Sequence, residues 1–137
     1  MSLGSKPLAA LAVDLASGTT TSRDLVEAAI AVAEDPDGEG GRTFVHLNAA
    51  RARTEADASD RLRAAGVVPS PIAGLPISIK DLFDVAGEVT TAASQTLADA
   101  PAAARDSAVV SRLRGAGAIP FGRTNLTEFA YSGIGIN

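Results

Sequence analysis

The sequence predicts an α/β protein, and two observations carry that expectation. From Gly74 onward an apolar strand-like run, a capped helix and a second apolar run follow one another. Upstream, apolar residues recur at helical spacing in segments closed by glycine. Strand, helix, strand in that order predicts a right-handed crossover between parallel strands.

Residues 7–16, PLAALAVDLA, read as a short helix stopped at Gly18. The next helix should run from about Ser22 to Glu34, capped by Thr21 or Ser22, with Leu25, Val26, Ala29, Ile30 and Ala33 on its apolar face. Residues 35–41, DPDGEGG, are loop by composition. Residues 43–47, TFVHL, are too short to assign. A charged, Ala-rich helix spans about Asn48 to Ala65, ended by Gly66, and its arginines Arg51, Arg53, Arg61 and Arg63 alternate with acids as on a solvated face. VVPSPIAG is a Pro- and Gly-punctuated connector.

LPISIK, ending at Lys80, reads as a strand buried on both faces. GEVTTAASQTL, with its β-branched residues, reads as a second extended piece, and DAPAAARD as loop. A helix capped by Asp106 carries Val109, Val110 and Leu113 and stops at Gly117. AIPFG is another strand, and TNLTEFAYSG a short helix entering a glycine-bearing loop. The chain closes on YSGIGIN, as a natural domain or a cut fragment would.

Bulk properties exclude several functions. The 137 residues are a common length for one domain. The absence of cysteine removes disulfides, thiolate metal sites and cysteine nucleophiles, and the single histidine, His46, excludes a multi-histidine metal cluster. The net charge of −4 argues against direct nucleic-acid binding. No apolar run approaches the roughly 18 residues of a membrane span. The N-terminus is a poor secretory signal, so a cytoplasmic location is expected.

Lys80 is the first candidate functional residue. It ends an apolar strand, where α/β proteins place ligands. If buried, desolvation favours its neutral form, which can act as a general base. The competing reading is a snorkelling lysine paired with Asp81 or Asp84. SGIG, Ser132 to Gly135, lacks the spacing of a phosphate-binding loop and reads as a plain loop. His46 reads as an ordinary, partly buried histidine. Ser94 lacks a nucleophile elbow and reads as a structural serine in a turn.

GLPISIKDLFDVAG, then TTAASQTL, then DSAVVSRLRGAGAIPFGRTNLTEFAYSG together resemble the amidase signature family. Its members carry a strand ending in Lys-Asp, then Thr-Thr-x-x-Ser. A helix ending in Gly-Ala-x-x-x-Gly-Lys-Thr-Asn and a Glu-Phe-Ala segment follow. The upstream helices are similar too, so the resemblance covers nearly the whole chain. Arg123 stands where lysine is common, a cationic exchange that disturbs little.

The resemblance implies a mixed β-sheet flanked by helices on both sides. It also implies amide hydrolysis by a Ser-cisSer-Lys triad with no metal or cofactor, acting on a small-molecule amide. Lys80 matches the catalytic lysine, and Tyr131, Ser132 and Gly133 fall where the family's loop approaches the acyl pocket. The bridging and nucleophilic serines lie in a downstream Gly- and Ser-rich segment that no serine here matches. Residues 1–137 are therefore expected to be the N-terminal portion of one amidase domain, incomplete and inactive alone. In that portion 1–73 is mainly helical and 74–137 holds the strand–helix–strand segment with the lysine. The apolar faces of LPISI and AIPF would then be uncovered and invite homodimerisation or other self-association. Two alternatives stay open. One is a glutaminase-type A subunit of a tRNA-dependent amidotransferase, disfavoured because EFAYSGIGIN departs from the EFAMGSSTE pattern of those subunits. The other is a non-catalytic fragment or interaction module.

Overall fold

The computed structural model describes residues 6–131. Helix α1 (Leu8–Ser17) ends at Gly18, whose φ of 72° is the left-handed stop expected for glycine. Helix α2 (Ser22–Ala33) is capped by Thr21 rather than Ser22, in a reciprocal capping box with Asp24. Ser22 and Arg23 also donate their backbone N–H groups to Asp60, at 2.7 and 3.0 Å. A carboxylate from a distant helix thus closes the first turn of α2. A single turn, α3 (Gly40–Thr43), lies at the end of the expected loop and leads into β1 (Phe44–Leu47). Helix α4 (Ala49–Ala64) follows.

Strand β2 (Pro76–Lys80), helix α5 (Ala108–Gly115) and strand β3 (Ile119–Thr124) form the expected β-α-β unit. The sheet order is β1-β3-β2. β2 runs parallel to β3, with Ile77 opposite Pro120 and Lys80 opposite Thr124. β1 runs antiparallel to β3, with Leu47 opposite Gly122. The sheet is therefore mixed, as expected.

Alternation along the strands places helices on both of its faces. Ile119 and Phe121 pack with Val26, Ala29 and Ile30 of α2 and Ala52 and Ala56 of α4. Ile77 and Ile79 pack with Val110 and Leu113 of α5. Pro120 lies opposite Ile77, so the two clusters occupy opposite faces. A third cluster joins Leu11 and Leu15 of α1 to Leu25 and Leu75. No helix among the described residues is long and apolar enough to cross a membrane.

Five local expectations are corrected. LPISIK is not buried on both faces, because Ser78 and Lys80 are exposed while Leu75 and Ile79 are buried. The apolar residues of LPISI and AIPF are not left open, since Leu75, Ile79, Ile119 and Phe121 are all buried. Among the described residues it is the outer edges of β1 and β2 that lack a neighbouring strand. GEVTTAASQTL is not extended: it turns tightly and ends in a 3-10 turn, Gln95–Leu97, because Asp81 captures Thr91 (below). The cap of α5 is Ser107, whose Oγ accepts from Val110 N–H at 3.5 Å. Asp106 instead accepts from Ala86 N–H at 2.8 Å and faces Arg114 Nε at 3.2 Å. Finally, TNLTEFAYSG forms only a 3-10 turn, Glu128–Ala130.

Candidate active site

The carboxyl ends of the parallel strands β2 and β3 are where an α/β sheet presents ligand-binding groups. Lys80 lies there. Its carbonyl accepts from the N–H groups of Leu82 at 2.7 Å and Phe83 at 3.1 Å, which turns the chain sharply after the strand. Its side chain is exposed and has no ion-pair partner among the described residues. The expected burial is thus absent within these residues. The snorkelling alternative also fails in detail, because Asp81 and Asp84 both turn elsewhere. Asp84 accepts from Thr90 Oγ1 at 2.9 Å.

Asp81 takes the opposite side of the strand and is 1% exposed. One carboxylate oxygen accepts from Arg123 Nη2 at 2.6 Å. The other accepts from the Thr91 hydroxyl and from Thr91 N–H at 3.3 Å. The Asp81 N–H donates to Thr124 O at 3.0 Å, and its carbonyl accepts from Ala92 N–H at 2.9 Å. Arg123, on β3, is itself 3% exposed. The same Nη2 reaches Thr90 Oγ1 at 3.3 Å, and Nη1 lies 3.7 Å from Glu88. Its Nε and Nη1 make no hydrogen bond among the described residues. A lone buried charge would be costly; a charge-assisted pair with satisfied oxygens is tolerable.

This anchor supports an unusual backbone. Ala92 and Ala93 have φ of 49° and 58°, and Phe129 and Ala130 have φ of 53° and 56°. Non-glycine residues in this left-handed region cost about 1–2 kcal/mol each and concentrate at functional sites. The two strained turns are tied together. Phe129 N–H donates to Ala92 O at 2.9 Å, and Ser94 Oγ donates to Glu128 Oε1 at 2.6 Å. Ser94 also accepts from Thr96 N–H at 3.3 Å and is buried, so it braces the two turns. Tyr131 follows the second turn and is 91% exposed. Ser132 and Gly133, and the whole SGIG segment, lie outside the described residues.

His46 is exposed on β1 rather than partly buried, opposite Arg123 in the register. Arg51, Arg53, Arg61 and Arg63 do not share one solvated role. Arg51 and Arg53 form ion pairs with Glu55 and Glu27, while Arg63 donates to Ala73 O at 2.7 Å beside a cavity of about 210 Å³ near the opposite, amino end of β3. An open cleft of about 810 Å³ borders Thr124, Asn125 and Thr127 at the carboxyl end of β3. No group of three or more metal-ligating side chains is found among the described residues. Sequence reasoning missed Asp81, Arg123, Thr91 and Glu128. The signal was present in the Lys-Asp and Arg-Thr-Asn pairs, but nothing in sequence joins positions 42 residues apart.

Comparison with known proteins identifies the family. The family model described as Amidase matches residues 24–136. AtzE of Pseudomonas sp. (strain ADP), which belongs to a 1-carboxybiuret hydrolase, is 44% identical over 117 residues, covering 85% of this chain and 25% of that protein. The A subunit of the glutamyl-tRNA(Gln) amidotransferase of Chromohalobacter salexigens is 38% identical over 125 residues, covering 91% and 25%. The crystal structure of the native peptide amidase from Stenotrophomonas maltophilia superposes with a TM-score of 0.80 at 33% identity, covering 91% of this chain and 26% of that one. The chain spans about a quarter of the length of the curated relatives it matches.

Proposed function

Because this chain belongs to the amidase family, we propose that the protein hydrolyses carbon–nitrogen amide bonds, with Lys80 handling the proton. The observation that carries this reading is the position of Lys80. It stands at the carboxyl end of a parallel strand, exposed and unpaired among the described residues, beside two strained turns. A lysine held by its own backbone but free at its ammonium is available to a reacting group.

In this reading Lys80 in its neutral form takes the proton of a bridging serine. That serine deprotonates the nucleophilic serine, which attacks the amide carbonyl. Backbone N–H groups stabilise the oxyanion, the amine leaves with a proton, and water then releases the acid from the acyl-enzyme. Of the Ser-cisSer-Lys set implied by the family resemblance, this chain supplies the lysine. In this reading the bound acyl group lies over Lys80 and excludes water from it. Tyr131, exposed at the end of the second turn, is assigned to the acyl side in this reading, and the family resemblance implies the same for Ser132 and Gly133.

A second reading is supported by the 38% identity to the amidotransferase protein of Chromohalobacter salexigens. In this second reading the amide is glutamine, and the ammonia passes to a partner protein. Ammonia release by the product of the full reading frame separates the readings. Benzamide, glycinamide, biuret and glutamine form the panel. Turnover of simple carboxamides by the protein alone supports the amidase. Release from glutamine only, and only with a partner protein, supports the amidotransferase. No release under either condition refutes both and leaves a non-catalytic interaction module.

A further inference from the structure

The geometry points to the buried pair Asp81–Arg123 as positioning residues for Lys80 and for both strained turns, an inference that rests on the reading of Lys80 given above. Asp81 is the residue after Lys80, and strand alternation sends their side chains to opposite sides. All of Asp81's polar groups are engaged. β3 holds one side of it through Arg123 Nη2 at 2.6 Å and Thr124 O at 3.0 Å. The 90–92 turn hangs on the other side, through the Thr91 hydroxyl, Thr91 N–H and Ala92 N–H. Ala92 in turn carries Phe129 N–H at 2.9 Å, so the second turn depends on the first. One buried carboxylate therefore fixes the strand end that bears Lys80 and the backbone around it.

The chemistry of the pair fits placement better than stabilisation. A buried ion pair is often no more stabilising than an apolar pair of the same volume. What it supplies is direction. The guanidinium fork of Arg123 reaches Asp81, Thr90 and Glu88 together, and a single ammonium could not grip all three in that geometry. The exchange of lysine for arginine in this chain thus extends the anchor from Asp81 to the 88–90 segment.

The test uses the product of the full reading frame, with ammonia release from the carboxamide panel and thermal unfolding measured side by side. Arg123→Met, Arg123→Lys, Thr91→Val and the double variant Asp81→Leu/Arg123→Met are compared with Lys80→Ala. The double variant should stay folded yet lose about 100-fold in kcat with KM little changed, as expected for a displaced catalytic group. Arg123→Lys should recover most of the kcat lost in Arg123→Met. If the double variant does not fold, Thr91→Val decides, with an expected loss of about tenfold in kcat at unchanged KM. Wild-type kcat in a folded double variant or in Thr91→Val, while Lys80→Ala is inactive, overturns the positioning role alone. Full activity of Lys80→Ala, or no turnover by the unsubstituted protein, overturns the reading of the site itself.

Discussion

Gly74→Ala tests how β2 is held in place. Gly74 has a φ of +85°, and a Cβ there would lie 2.1 Å from Ser22 Oγ and 3.0 Å from Ser59 Oγ. Its N–H donates to Gly117 O at 2.8 Å, tying the entry of β2 to the turn before β3. Ser22 is fully buried in the first turn of α2, so its hydroxyl has little room to retreat. The left-handed φ costs alanine about 1–2 kcal/mol. Forcing a methyl into a packed contact costs about 1–3 kcal/mol more. Gly74→Ala should therefore lose about 2–5 kcal/mol. Ser22→Ala alone gives up only the 3.3 Å bond to Ser59, worth less than about 1 kcal/mol. The double variant Ser22→Ala/Gly74→Ala keeps the φ penalty but relieves the clash, so about 1–3 kcal/mol should return as coupling. Urea unfolding measures all three, with a midpoint shift of about 1–2 M expected for Gly74→Ala at ordinary slopes. A loss below about 1 kcal/mol, or no rescue in the Ser22→Ala background, would refute the reasoning.

Two further predictions concern the scaffold. Ser107→Ala should cost about 1 kcal/mol by urea unfolding, because Ser107 and not Asp106 caps α5. Glu27 sits between Arg53 and Arg23, whose hydrogen bonds hold its carboxyl at about 2 against an ordinary 4.5. Its folded value is depressed, so its contribution is present above the unfolded value and lost as pH falls from about 4.5 towards 2. Glu27→Gln should flatten that acid limb of stability. Because the network is solvent-exposed, 1 M NaCl should flatten it in the unsubstituted protein too, by screening at roughly 3 Å.

The parts of this fold written locally were legible in the sequence. Gly18 marks the end of α1, Val110 and Leu113 mark the apolar face of α5, and the two apolar runs are β2 and β3. The order of motifs also carried the family. What could not be read depends on partners distant in sequence. The β-branched residues Val89, Thr90 and Thr91 look like a strand, but Asp81 bends them into a turn across a gap of ten residues. Arg123 looked like a conservative exchange, yet it is a buried counter-ion. β1 is too short to show a period, and its antiparallel pairing with β3 is purely tertiary. The strand-end position of Lys80 was readable; its exposure was not, because burial is decided by what packs over a side chain.

The most direct measurement is amide hydrolysis by the product of the full reading frame beside its Lys80→Ala variant, each confirmed as folded by circular dichroism. Lys80 is exposed, so its truncation should leave unfolding almost unchanged. The account predicts a loss of about 100- to 10,000-fold in turnover, the range of a lost general base. A folded Lys80→Ala protein that still hydrolyses amides within about threefold of the unsubstituted rate would contradict it.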